Sequence, residues 1–200
     1  LLLPAFYLPP VSYFHAVLRH GGPLLLEKHE HYAKQTYRTR ARIATANGAL
    51  DLSVPVLHGR KERVPMRDVR IDYGHRWQRL HWLSLQTAYR SSAFFEYYED
   101  DFAVFYDRKH GFLLDYNAAQ LELVLKLLKT DRPVRFTESY QDVPDGAVDF
   151  RQAIHPKKPS LLPAPGPYHQ VFADRHGFLP DLSIVDLLFN QGPGSGEFLR

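Results

Sequence analysis

The sequence predicts an α/β protein built on a mixed sheet, and three observations carry that prediction. The chain opens with an apolar run over 1–8, a short amphipathic stretch and a second apolar run over 24–26. Strand, helix and strand in that order make a βαβ unit, which belongs to a parallel sheet. Residues 41–56 alternate apolar with polar or small side chains around Asn47-Gly48, a pair that tolerates the positive φ of a tight hairpin turn. Residues 77–128 carry apolar side chains at helical spacing, so the helices group in the middle of the chain. With 200 residues the chain fits one domain, 1–200, whose core needs no disulfide or structural metal.

Each element has a local reason. Leu1–Leu8 reads as a buried strand ended by Pro9-Pro10. Ser12 is placed to cap a helix over Tyr13–Arg19, with Tyr13, Phe14, Val17 and Leu18 on one face and Gly21-Gly22 as its stop. Leu24–Leu26 starts a second buried strand that runs into residues 27–40. Pro55 cannot donate to a ladder and suits an edge or a bulge of the hairpin. A strand is expected around Val69–Ile71, then helices over Trp77–Tyr89, Phe94–Tyr106 and Ala118–Leu128. The last of these opens with Asn117 and Gln120 at capping-box spacing. Val134–Tyr140 reads as a strand and Leu182–Phe189 as a final helix. Between them, residues 142–168 hold six prolines and are expected to form a Pro-rich C-terminal arm or lid within the domain.

Composition excludes several classes. Cysteine is absent, which removes thiol nucleophiles and thiolate metal sites and suits a reducing, cytoplasmic setting. Twenty-five basic residues face 22 acidic ones, a net charge of +3, so nucleic acid is not an expected partner. No apolar run approaches the ~18–20 residues of a membrane span. Leu1-Leu2-Leu3 meets Pro4 without a basic region and does not read as a signal peptide. There is no phosphate-binding Gly loop and no nucleophile elbow, and the sequence names no cofactor. Aromatic content is 14%, with 12 Tyr, which fits an aromatic-lined ligand surface or a core periphery.

The chemistry concentrates in residues 27–40. Glu27, Lys28, His29, Glu30, His31, Tyr32, Lys34, Tyr37, Arg38 and Arg40 put carboxylates, imidazoles, cations and phenols into one short stretch. If 27–31 continue the strand, Glu27, His29 and His31 share a face. That set can serve acid/base chemistry, bind a divalent metal, or form a plain solvated strand end. Lys34, Arg38 and Arg40 offer donors suited to phosphate or carboxylate. Their bland alternative is a surface basic patch.

Several segments together resemble the WbqC-like family in its shorter bacterial form. They are Leu3-Pro4 through Tyr13-Phe14, His29–Arg40, Leu52–Val56, Trp77 with His81, Phe94-Phe95, and Phe178–Asn190. Their order and spacing hold across nearly the whole chain. The resemblance implies an α/β fold and a setting in O-antigen or related surface-polysaccharide synthesis, with aminoacyl (glycine) transfer as the suggested activity. This chain reads Lys28-His29-Glu30-His31-Tyr32 where longer members carry Asp-Asp-x-Gln-Tyr, and Thr39-Arg40 where they tend to carry Asn-Arg. Tyr32 and Arg40 thus belong to the shared pattern, and His29 and His31 do not.

The resulting expectation is a group transferase, aminoacyl or acyl, that binds a small anionic or sugar-linked ligand. The site would lie between the first strand end, residues 27–40 and the final helix. His29, His31 and His81 are the candidate catalytic residues. Tyr13, Tyr32, Lys34, Arg38, Arg40, Trp77, Asp186 and Asn190 are the candidate binding residues. No metal is assigned. A lone His on an apolar helix face, as His81 is, is more often a core residue, and its place beside Trp77 in the family pattern raises its standing. Asp186 and Asn190 have ordinary roles as helix-dipole compensation and C-cap. Two alternatives are a non-catalytic binding or scaffold protein with glycan-assembly partners, and a metal-dependent hydrolase using Glu27, His29 and His31.

Overall fold

A computed structural model describes residues 1–57, 63–140, 146, 148–158, 160–163 and 165–200. The chain begins as the βαβ pattern requires: β1 (Leu2–Pro4), α1 (Val11–Arg19) and β2 (Leu24–Glu27). β1 pairs parallel with β2, and β2 pairs parallel with β7 (Val134–Phe136). On the far edge of β1, Leu2 bridges to Asp149: its N–H donates to the Val148 carbonyl, and its carbonyl accepts from Phe150. Leu2, Leu3, Leu24 and Leu26 are almost completely buried, the apolar signature of strands covered on both faces.

β3 (Arg40–Thr45) and β4 (Gly48–Ser53) form the expected hairpin. The two-residue loop is Ala46-Asn47, and Gly48 supplies the positive φ, +100°, as the first residue of the return strand. Two short strands, β5 (Val56–Leu57) and β6 (Arg70–Ile71), pair antiparallel. α2 (Trp77–Tyr89), α3 (Phe95–Asp107) and α4 (Leu113–Leu127) make the central helical group. A short α5 (Ala173–His176), the fully buried α6 (Ile184–Gln191) and a last turn, α7 (Ser195–Phe198), complete the chain.

Local expectations fail where a distant partner intervenes. The first strand stops at Pro4, because the Tyr7 N–H bonds to the Tyr37 carbonyl and Leu8 turns to a φ of +39°. Ser12 is not the cap of α1. Pro10 holds that position, and the Ser12 N–H and hydroxyl both donate to Asp181, at 2.8 and 2.9 Å. α4 starts at Leu113, so Asn117 lies inside it, and its amide donates to the Ala5 and Arg38 carbonyls. Of the Pro-rich segment, Pro144 and Pro159 lie outside the described residues. In its described part, Phe150, Ala153, Ile154 and Leu162 are buried in the main core. That core is continuous from Leu1 to Leu199. No helix among the described residues is long and apolar enough to cross a membrane.

Candidate functional site

β2 carries Glu27 into the interior and ends there; the chain then bends at His29 and Glu30. This bend, and not strand alternation, decides which side chains turn inward, so Glu27 does not share a face with His29 and His31. The Glu27 carboxylate accepts from the Thr137 hydroxyl at 2.9 Å and from the His29 backbone N–H at 2.7 Å, and faces Arg151 at 3.4 Å. Arg151 also forks onto Asp149, with Nη2 2.8 Å from Oδ2, and stacks over the Tyr140 ring. Partial burial pushes the Asp149 carboxyl up, but the bonds from Arg151 outweigh it and hold it below its usual range. Among the described residues no three His, Asp or Glu side chains gather as metal ligands.

A second buried pair sits alongside. Glu30 and Arg38 meet in a bidentate contact, Nε–Oε1 at 2.8 Å and Nη2–Oε2 at 2.6 Å, with both side chains removed from water. Fork-to-carboxylate geometry is the strongest form of this interaction. It commits Arg38 to the fold and leaves it no free donor face for a ligand.

His29 and His31 turn outward and line a cavity of about 430 Å³ with Glu30, Tyr140 and Gln152. The segment is held from behind by residues 64–67: Tyr32 N–H donates to Val64, Met66 N–H to Glu30 and Arg67 N–H to Lys28. Arg67 Nη1 also lies 3.2 Å from His29 Nδ1. A guanidinium can only donate, so Nδ1 accepts and the ring proton sits on Nε2. That Nε2–H is buried without a partner among the described residues, a condition native structures rarely leave unanswered.

A second cavity, about 310 Å³, is lined by Tyr32, Lys34, Gln35, Thr39, Arg40 and Ser53 among others. The side chains of Lys34 and Arg40 have no ion pair or hydrogen bond among the described residues. Arg38 and Arg40, two residues apart, therefore play opposite parts: one is neutralised inside, and the other is free at a cavity wall.

α2 buries Trp77 and His81 one turn apart. His81 Nδ1 lies 3.0 Å from the Tyr7 hydroxyl, which lies 3.0 Å from the Tyr106 hydroxyl. Tyr106, Tyr7 and His81 therefore form one buried hydrogen-bonded chain beneath α2. Burial pushes His81 down to about 4. His81 lines neither cavity.

The remaining candidates lie apart from the 27–40 stretch. Tyr13 is in the core, its hydroxyl on the Pro4 carbonyl and its ring against Phe6 and Phe14. Asp186 is fully buried and accepts from Tyr89 at 2.8 Å, Tyr168 at 2.7 Å and Gln170 at 3.0 Å. Burial without a cation pushes its carboxyl up, against the pull of these donors. Asn190 donates to the Asp186 carbonyl inside α6 rather than capping it. Neither cavity along 29–40 includes Asp186 or Asn190. Residues the sequence did not single out, Arg67, Tyr140, Asp149, Arg151 and Gln152, complete the first cavity and its floor. Asp149 and Arg151, flanking buried Phe150, are the only local trace of that role.

The fold and these cavities define a mixed α/β protein whose polar cleft is built on buried ion pairs after a parallel strand. The model of the WbqC-like protein family matches residues 5–157, from just after β1 through Arg151, and the chain belongs to that family. It is similar to the uncharacterised protein Rv1507c of Mycobacterium tuberculosis, 25% identical over 195 residues that cover 84% of each chain. No solved structure matches.

Proposed function

We infer that the protein is a group transferase, aminoacyl or acyl, of bacterial surface-polysaccharide synthesis. Its ligand is small and anionic or sugar-linked, and binds along residues 29–40. The observation that carries this reading is a pair of cations, Lys34 and Arg40, with no partner among the described residues, in one cavity beside Tyr32 and Thr39. They would hold a phosphate or carboxylate, since a planar guanidinium matches either one bidentately. Membership of the WbqC-like family supports the polysaccharide setting.

In this reading His29 serves as a donor, because Arg67 fixes the proton on Nε2; it would stabilise charge growing on an acyl oxygen. His31, exposed in the same cavity, would take the proton from an attacking hydroxyl or amine as the acyl–leaving-group bond breaks. Calorimetry with nucleotide sugars, aminoacyl donors and acyl donors tests it. Arg40→Ala should weaken the donor that binds by ~10-fold or more while stability changes by less than ~1 kcal/mol. If none of these compounds stabilises the protein, the scaffold reading takes over. One observation favours that reading: Leu80 and Leu83 of α2 are exposed, at 61% and 54%.

A further inference from the structure

We propose that the protein carries a second anion site, at the start of α2, suited to the phosphoryl group of a small molecule. A cavity of about 240 Å³ lies there, framed by Tyr73, His75, Arg76, Arg79, Tyr106 and Lys109, and no carboxylate lines it. It shares no lining residue with the Arg40 cavity.

The charge in this cavity is unanswered. Five arginines elsewhere do find acids: Arg38 has Glu30, Arg42 has Asp51, Arg67 has Asp68, Arg90 has Glu99 and Arg151 has Asp149. The side chains of Arg76 and Arg79 have neither an acid nor any hydrogen-bond acceptor among the described residues. Lys109 rests only over the Tyr73 ring, 5.2 Å from its centroid.

Position adds to the positive potential of the cavity. α2 has no acidic residue in its first turn and no side-chain cap. Its first N–H groups and two guanidiniums therefore gather at the positive end of the helix dipole, where a carboxylate is the usual occupant. The carbonyls ending α3 do not require these cations, because the Gln78 amide already donates to Phe105 and Arg108, at 3.1 and 2.6 Å. The back of the cavity is fixed, since the Tyr106 hydroxyl is held by Tyr7. Three cations without an acid among the described residues and an uncapped helix start favour one kind of guest. A dianionic phosphoryl group, rich in acceptor oxygens, matches two arginine forks better than a single carboxylate does.

Calorimetric titration of the full chain with inorganic pyrophosphate at fixed ionic strength is the test. The expected result is a saturable binding event that Arg40→Ala retains. Arg76→Ala combined with Arg79→Ala, and separately Lys109→Ala, should weaken the event by about ten-fold or more. All three side chains are exposed and unbonded, so the variants should keep the wild-type thermal transition; Lys109→Ala, on a different segment, covers a folding failure of the double variant. Three outcomes overturn the proposal: no binding event, an event in the Arg40→Ala background that survives the added double substitution, or equal weakening by Arg175→Ala, which removes one exposed charge from α5.

Discussion

Arg38 and Arg40 differ in one physical respect, access to water, and that respect sets what each can do. Arg38 and Glu30 are both buried and satisfy each other. Removing one partner strands the other charge, so Arg38→Ala should cost ~3–5 kcal/mol, measured by denaturant unfolding. Arg40→Ala should cost less than ~1 kcal/mol in the same experiment. The sequence shows three cations in this run but not which one has an acid folded beneath it. Glu30 reaches Arg38 only because the chain bends after Glu27, and the bend depends on Thr137 and Arg151, more than a hundred residues away.

His81 carries a pH signature with a definite sign. Its folded value of about 4 lies below the ordinary 6.5. Between those values the unfolded chain takes up a proton that the native chain refuses, so stability falls as pH drops from 6.5 to 4, by ~3 kcal/mol. Asp186 works the other way: its raised carboxyl keeps a proton that the unfolded chain has lost, so its share is lost as pH rises through its raised value. Comparing wild type with His81→Gln isolates the histidine. The variant should show a flatter loss of melting temperature between pH 6.5 and 4; parallel curves would mean His81 ionises freely in the fold.

At the scale of elements, what the sequence shows and what it hides divide by the distance of the deciding partner. The hairpin and α2 are governed by neighbours, the turn residues and helical periodicity, and both are legible. The start of α1 is not, because its cap comes from Asp181, at a φ of +52° and 169 residues away. Asp181→Ala should cost ~1–2 kcal/mol, read from the denaturation midpoint, through loss of the two Ser12 bonds. Gly192 shows the same division. Its φ is +58°, and a Cβ there would lie 2.5 Å from the Phe94 ring. Gly192→Ala should therefore destabilise by ~1–3 kcal/mol, combining strain with overpacking between α3 and α6.

Across the whole molecule, the sheet joins the start of the chain to segments in its second half. β1 and β2 are near neighbours in sequence, but β7 and the Asp149 bridge return from far downstream. Parallel pairing over such separations is slow to form and cannot be completed by a fragment that ends before β7. α6 adds to this: Ile184, Val185, Leu187, Leu188 and Phe189 are all fully buried. A fragment ending at residue 157, where the family match stops, should lack a cooperative thermal transition by dichroism. A cooperative transition in that fragment would show that the core closes without α6. The α/β class was legible from the order of apolar runs. The candidate site stands in the sequence as a dense stretch at 27–40, but its division into buried pairs and open cavities follows from packing that no local pattern records.

The chain contains two tryptophans, and both stand on α2. Trp77 meets His81 edge-on, with ring centres 5.1 Å apart, and Trp82 stacks on Tyr106 at 5.4 Å. Intrinsic fluorescence is therefore an optical gauge of one helix and the hydroxyl relay beneath it. Dichroism, by contrast, averages over every helix. If the two signals trace a single unfolding curve, α2 leaves together with the rest of the core. If dichroism moves first, elements remote from α2 have released while the indoles still sit in their native packing.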